Sequence, residues 1–257
     1  FTANAYDAPI TVSGAWVAID IYHGGYHTSA EELAPFIGNL TAAGNHVALL
    51  NETWYLTDNV SALFLPASDT NFTEAEMQTV KNWLKTGDKL LVVAGDSDYG
   101  GYYTPTSINM LLDYLGTKTR LDRTSISDPV YKDGASYRVG VKDFGTGPVA
   151  TALTKNMEGG FILHGPCSIV VYDGTYYKDM RYSSFNDIET IVYYSENATA
   201  SDGDVSDTPL DLYANGPYAD EIGNYPAVVY EHLRFLGGSH MIIAGEAFFT
   251  FYKRMYN

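Results

Sequence analysis

The feature that most constrains this chain is a repeated order in its first 116 residues. Short apolar runs, each long enough for one strand, alternate with segments of helical period that open on a capping signal and close on glycine. A strand is expected over about 15–20, with Val17, Ala18 and Ile19 as its apolar run. Ser29-Ala-Glu31-Glu32 then reads as a capping box, with Ser at the N-cap and Glu at N3. Leu33, Phe36, Ile37 and Leu40 recur at the spacing of one helix face, and Gly44 offers a left-handed C-cap. His46 to Leu50 is apolar without alternation, which predicts a strand in the middle of a sheet. Ala62 to Pro66 is a third strand, and Thr73-Glu-Ala-Glu76 a second capping box. Met77, Val80 and Leu84 follow as a buried stripe, and Gly87 ends that helix. Lys89 to Ala94 is a fourth strand, and Thr104-Pro105 supplies an N-cap and an N1 proline. The helix they open runs to Gly116 through Ile108, Leu111, Leu112 and Leu115. Strands alternating with helices in this way predict a doubly wound, mostly parallel sheet with helices on both faces.

After Gly116 the helical period disappears. Short β-like runs separated by Gly, Pro and Asp take over at Ser136–Val141, Gly160–Leu163, Ser168–Tyr172 and Thr190–Tyr194. Residues 195–224 form a polar, acidic stretch that reads as a long loop. Strands return at Pro226–Tyr230 and His240–Glu246, the last expected to rejoin the first sheet. The organisation is one α/β domain over 1–257: a βα core at 1–116, a β-rich insertion with the acidic loop at 117–224, and closing strands at 225–257.

Charge narrows the function. Asp and Glu number 31 against 15 Lys and Arg, a net charge of −16. Nucleic-acid binding needs a basic patch that displaces counterions, and docking on anionic lipid needs the same sign, so neither is expected. No stretch approaches the 18 or so apolar residues of a membrane span. Phe1-Thr-Ala-Asn-Ala5 lacks the basic and apolar parts of a leader and reads as the trimmed start of something longer. The single cysteine, Cys167, allows no internal disulfide. Acceptor sites for N-glycosylation stand at Asn39, Asn51, Asn59, Asn71 and Asn197. With 14 asparagines, chance supplies about two. The excess fits an outward-facing, extracellular surface.

Ligands of open α/β sheets gather beyond the carboxyl ends of the strands. Asp20, His23 and His27 occupy that place after the first strand. They read as a crevice for a metal or polar ligand, or as polar loop residues before a helix. Gly24 and Gly25 between the histidines argue against a helical His-x-x-x-His metal pair. Asp96, Ser97 and Asp98 follow the fourth strand. A nucleophilic Ser97 would need His23 or His27 as base, whereas turn formation by Asp and Ser asks for nothing more. Glu246 ends the last strand and would complete a carboxylate cluster with Asp20 and Asp96, suited to a divalent cation. Asp202, Asp204, Asp207 and Asp211 share one Gly-containing loop that can wrap calcium, although EF-hand spacing is missing. No cofactor is required; calcium or another divalent cation is the one candidate. Tyr is abundant, with 22 residues, and the groups Tyr99/Tyr102/Tyr103, Tyr176/Tyr177 and Tyr193/Tyr194 suit stacking on sugars or contact with proteins.

These residues together resemble a known superfamily. The run Val17-Ala-Ile-Asp20 with His23 and Gly44 is followed by Leu63-Phe-Leu-Pro66, by Phe72-Thr-Glu-Ala-Glu76 with Trp83-Leu-Lys-Thr-Gly87, and by Leu90 to Asp96. Gly147 to Leu153 with Gly165-Pro-Cys-Ser168 looks like its gap-then-strand segment. Tyr225 to Val229 with Met241 to Glu246 looks like its closing hairpin and last strand. The pattern is similar to the class I glutamine amidotransferase-like, flavodoxin-like superfamily. It is most similar to the non-catalytic branch that includes the intraflagellar-transport domain and prokaryotic surface proteins. The enzymes of that superfamily carry a Gly-x-Cys-x-Gly elbow; the turn here, Gly95-Asp-Ser-Asp-Tyr-Gly100, has no cysteine. The resemblance therefore implies a non-catalytic extracellular domain of a cell-surface glycoprotein, serving assembly or ligand recognition. Its expected partners are other surface proteins or copies of itself, and carbohydrate. Two other readings stay open: a solute-binding protein for a sugar or small polar ligand, and a metal-assisted hydrolase using Asp20, His23 and His27.

Overall fold

The computed structural model describes residues 14–24, 28–52, 54–99, 104–157, 159–202, 212–213 and 221–250. Five strands run parallel: β1 (Trp16–Asp20), β2 (His46–Leu50), β3 (Val60–Pro66), β4 (Leu90–Ala94) and, from the end of the chain, β14 (Ser239–Ala244). They stand in the order β2-β1-β3-β4-β14. Four antiparallel strands extend the sheet beyond β14: β13 (Pro226–Leu233), β11 (Ile188–Tyr194), β7 (Arg138–Phe144) and β8 (Phe161–His164). The result is a mixed nine-stranded sheet. Two small sheets accompany it. One joins β10 (Tyr177–Lys178), β9 (Ile169–Tyr172) and β5 (Thr119–Leu121); the other joins β12 (Thr199–Ser201) and β6 (Ser125–Ser127).

The helices are α1 (Ala34–Ala42), α2 (Glu74–Lys85), α3 (Thr104–Leu115) and α4 (Pro148–Thr154). Because successive side chains of a strand point to opposite faces, each parallel strand feeds two cores. Ala18, Leu63, Leu65, Leu91, Val93, Met241 and Ile243 lie in one. Val17, Ile19, Ala62, Phe64, Ala94, Ile242 and Ala244 lie in or against the other. The first core receives Met77, Val80, Trp83 and Leu84 of α2 and Ile108, Leu111, Leu112 and Leu115 of α3. Each such side chain contributes about 1.5–3 kcal/mol by leaving water. Trp83 also donates from Nε1 to the Val60 carbonyl at 2.9 Å, so its one polar atom is satisfied. The second core takes Phe36, Ile37 and Leu40 of α1 and Ala150 of α4.

Three local expectations need correction. The apolar run His46–Leu50 forms the edge strand β2, not a central one. Val47 packs in one core and Leu50 in the other. Only Leu50 of this strand is buried, and its apolar character says nothing about how many neighbours pair with it.

The first helix starts at Ala34, five residues after the capping signal. Ser29 Oγ still accepts from the Glu32 amide at 3.3 Å, but residues 30–33 form turns. Pro35 is the cause. It suits the first turn of a helix, where no amide is needed, and would break a helix already under way from Ser29.

Residues 148–154, in the half of the chain where no helical period is legible, form α4. Its N-cap is Gly147, which has no side chain to cap with. The missing acceptor comes from Glu189 of β11, whose carboxylate takes the amides of Val149 and Ala150 at 3.3 and 2.6 Å.

The expected return of the last strand holds. β14 lies parallel to β4, from His240 opposite Leu90 to Ala244 opposite Ala94.

Candidate functional site at the parallel strand ends

β1 ends on Asp20, whose side chain is fully buried. Its Oδ1 accepts from the amides of Tyr22 and His23 at 3.0 and 3.3 Å, which folds the chain back sharply. The turn brings His23 Nδ1 to 3.1 Å from Asp20 Oδ2. On the other side of the ring, His23 Nε2 lies 3.3 Å from Glu76 Oε2. Glu76 is also the N3 residue of the α2 capping box: the same Oε2 accepts from the Thr73 amide and hydroxyl, both at 2.7 Å. One carboxylate therefore caps a helix and holds a histidine. The imidazole is 1% exposed and ringed by Phe72, Trp54 and Tyr22, with centroids at 4.5, 5.0 and 5.0 Å.

The backbone of this loop is stitched as well. The His23 carbonyl accepts from the amides of Asp69 and Thr70 at 2.9 and 3.2 Å, and Gly24 bridges to Ser68. Between Ser68 and the end of β3, Ala67 takes a left-handed conformation, φ +42°. Such backbone costs an alanine about 1–2 kcal/mol and persists where its surroundings impose it. Here the Ala67 amide is tied to the Ala94 carbonyl at 2.9 Å. Two buried polar atoms beside this loop, Ser68 Oγ and Trp54 Nε1, have no hydrogen-bond partner among the described residues.

The histidine's chemistry follows from its partners. Burial disfavours the charged ring. The Asp20 hydrogen bond and charge, followed by the charge and hydrogen bond of Glu76, outweigh it and hold the pKa above the ordinary histidine value. Burial likewise opposes the charged Glu76, but its bonds from Thr73 and the neighbouring His23 bring its pKa down. Both ring nitrogens face carboxylates, and in the protonated form that these partners favour each is a donor, leaving no lone pair for a general base.

A second group of residues sits two strands away, past the end of β4. Asp96 Oδ1 accepts from the Ser97 amide at 2.9 Å, and the same amide reaches the Gly165 carbonyl at 2.9 Å. The segment Gly165–Ser168 crosses over the ends of β4 and β14. Cys167 donates from its amide to the Gly245 carbonyl at 3.0 Å, and the Tyr194 hydroxyl donates to the Cys167 carbonyl at 2.7 Å. Glu246 is fully buried and accepts from the His164 amide at 2.7 Å. Ser97 and Asp98 are also buried.

The lone cysteine thus reaches the turn after β4 from a distant loop. A side chain at Gly95 would come within 3.1 Å of its sulfur. Its thiol is nevertheless 0% exposed, and burial, followed by the charges of Asp96, Asp122 and Asp98, pushes its pKa well up. It stays protonated and sealed, the opposite of an activated thiolate.

Of the residues singled out by sequence, Asp20 and His23 stand together, and Asp96, Ser97, Asp98 and Glu246 form the separate group. β3 lies between β1 and β4, so the carboxylates divide between two places. His27, Asp204, Asp207 and Asp211 lie outside the described residues; Asp202 is partly buried at the end of β12. Among the described residues, no group of three or more His, Cys, Asp or Glu side chains is disposed to hold a metal ion. Asn39, Asn51, Asn59 and Asn71 are exposed, and Asn197 is half-buried. Glu76, Trp54 and Ser68 were not singled out. Only Glu76 left a trace, as the carboxylate of a capping box.

No family model matches the chain, and no curated protein matches it. Among solved structures it is similar to the mmIFT52 N-terminal domain, with a TM-score of 0.63 and 14% identity, covering 92% of this chain and 88% of that one. A second similar chain is the exo-β-1,4-mannosidase Op5Man5 from Opitutaceae bacterium strain TAV5, at a TM-score of 0.44 and 9% identity, covering 93% of this chain and 32% of that one. At 14% identity the first likeness is one of fold: this chain folds as the IFT52 N-terminal domain does.

Proposed function

We propose that this chain is a non-catalytic assembly and recognition domain on a flavodoxin-like scaffold, part of an extracellular cell-surface glycoprotein. The observation that carries the non-catalytic reading is the commitment of both His23 nitrogens, to Asp20 at 3.1 Å and Glu76 at 3.3 Å. The buried thiol of Cys167 supports it. A metal-assisted hydrolase would have to strip His23 from one carboxylate before its imidazole could bind a metal. The strand order β2-β1-β3-β4-β14, with α1 and α4 in one core and α2 and α3 in the other, supports the flavodoxin-like scaffold. The fold shared with an intraflagellar-transport domain supports an assembly role. The exposure of Asn39, Asn51, Asn59 and Asn71 supports glycosylation. Recognition at the strand ends is assigned to a small polar ligand meeting Ser68 Oγ and Trp54 Nε1, two buried polar atoms beside the loop that have no partner among the described residues.

The test has two arms. Purified protein assayed against ester, amide and glutamine substrates is expected to give no turnover that His23→Gln, Ser97→Ala or Cys167→Ala removes; turnover that any of them removes overturns the non-catalytic reading. Material from the native source is expected to exceed the 28.2 kDa of the bare chain by the mass of glycans. A mass equal to the bare chain removes the glycoprotein reading.

A further inference from the structure

A cleft of about 360 Å³ opens in the β-rich half of the chain, built from residues between 180 and 224. One wall is aromatic. Tyr182 is 67% exposed, yet its ring is held at both ends. Its hydroxyl donates to Glu221 Oε2 at 3.0 Å, and the Arg181 guanidinium lies 5.3 Å from its ring centre. Tyr193 and Ile222 continue the apolar lining. A ring fixed in this way binds without first losing rotational freedom.

The polar side of the cleft is just as fixed. Arg181 is 9% exposed. Its Nε and Nη2 bond to Asp179 Oδ2 at 2.9 and 2.7 Å, and Nη2 also reaches Glu221 at 3.0 Å. The rings of Tyr225 and Tyr213 enclose the guanidinium at 4.4 and 5.1 Å. The Asn224 amide donates to Asp143 Oδ2 and the Tyr194 carbonyl at 3.3 and 3.2 Å, which leaves its Oδ1 to accept. At Gly223 a side chain would come within 3.3 Å of Arg181 Nη1; glycine keeps that donor accessible.

These groups select a ligand chemistry. Asp179 and Glu221 around one guanidinium, with Asp143 held by Asn224, leave an excess of negative charge, which repels anions. The guanidinium in turn opposes a bound cation. What remains is a neutral molecule with an apolar face for the tyrosine and hydroxyls for the carboxylate and the amide oxygen. We propose that this cleft binds a neutral pyranose sugar, stacked on Tyr182 and hydrogen-bonded through its hydroxyls to Glu221 and Asn224. The site shares no residue with the strand-end loop of Asp20 and His23, and its occupancy does not depend on the function proposed above.

The test is saturation-transfer NMR on the whole chain with neutral hexoses, N-acetylhexosamines, their disaccharides and the corresponding uronic acids at millimolar concentration. Expected is saturable binding of at least one sugar, weakened at least tenfold by Tyr182→Ala and by Asn224→Ala and changed less than threefold by Tyr182→Phe. Because Tyr182 is exposed, Tyr182→Ala is expected to keep the melting temperature within a few degrees, and Tyr182→Phe retains the platform if it does not. Three outcomes overturn the proposal: no transfer to any sugar, binding indifferent to Tyr182→Ala, or tighter binding of uronic acids than of their neutral counterparts.

Discussion

Nε2 of His23 stands 3.3 Å from Oε2 of Glu76, and through that contact the loop after β1 is fastened to the first turn of α2. The other nitrogen is fastened to Asp20. One ring thus joins three pieces of chain: a strand end, a loop and a helix start.

The clamp makes stability depend on pH with a definite sign. His23 has a folded pKa above its unfolded value, so its contribution is complete below about pH 6.5 and is lost as pH rises through the higher folded value. Glu76 has a folded pKa below its unfolded value, so its contribution is present above about pH 4.3 and is lost as pH falls through the lower folded value. Urea midpoints measured from pH 4 to 9 are expected to decline on the alkaline side, and His23→Gln is expected to flatten that decline. An unchanged alkaline slope in His23→Gln would show that another group carries it.

Removing the ring should be costly because its partner cannot reach water. His23→Ala leaves Asp20 fully buried without its counter-ion, at a cost of about 3–5 kcal/mol. Glu76→Ala loses a helix cap and one partner of the imidazolium, and about 1–2 kcal/mol is expected because Glu76 is 14% exposed. A double-mutant cycle should give a coupling of about 0.5–3 kcal/mol between the two sites. Strict additivity in denaturant unfolding would mean that the contact contributes nothing.

The thiol offers an optical probe of the same edge of the sheet. Cys167 is fully buried and its pKa is raised, so an aromatic disulfide reagent is expected to leave it untouched in the folded protein. Labelling should appear only as the chain unfolds in denaturant, with the midpoint of the global transition. Rapid labelling without denaturant at pH 8 would contradict the burial.

Glu231 makes a comparable staple on β13. It is 1% exposed and accepts the Lys118 amide at 2.8 Å, the Thr119 amide at 2.9 Å and the Thr119 hydroxyl at 2.8 Å, tying β13 to the start of β5. Glu231→Ala strands buried donors at about 1–3 kcal/mol each, so a loss of about 3 kcal/mol or more is expected in urea unfolding. A loss under 1 kcal/mol would mean that water replaces the carboxylate.

Local patterns carried much of this molecule. The stripe Met77, Val80, Leu84 and the box Thr73–Glu76 are properties of consecutive residues, and the helix forms where they place it. The same holds for Ile108 to Leu115 and for the glycines at 44, 87 and 116, all left-handed. The apolar runs of the strands were legible because a strand covered on both faces must be apolar throughout. Where local signals conflicted, as with Ser29 against Pro35, the proline prevailed, since a missing amide cannot be supplied by anything else.

By itself the sequence determined most strands and helices of the first 116 residues and the closing strands, and that Asp20 and His23 stand at a strand end. The tertiary structure decided their company. Glu76 meets His23 because β1 and β3 lie side by side and the chain leaving β3 runs into α2, a relationship between residues 53 positions apart that no spacing rule encodes. The placing of β2 at the edge, the capping of α4 by Glu189 and the arrival of Cys167 beside Gly95 are of the same kind. Helical and strand periodicity arise from neighbours along the chain; these contacts arise from which strands pair, and pairing is settled only when both cores close together.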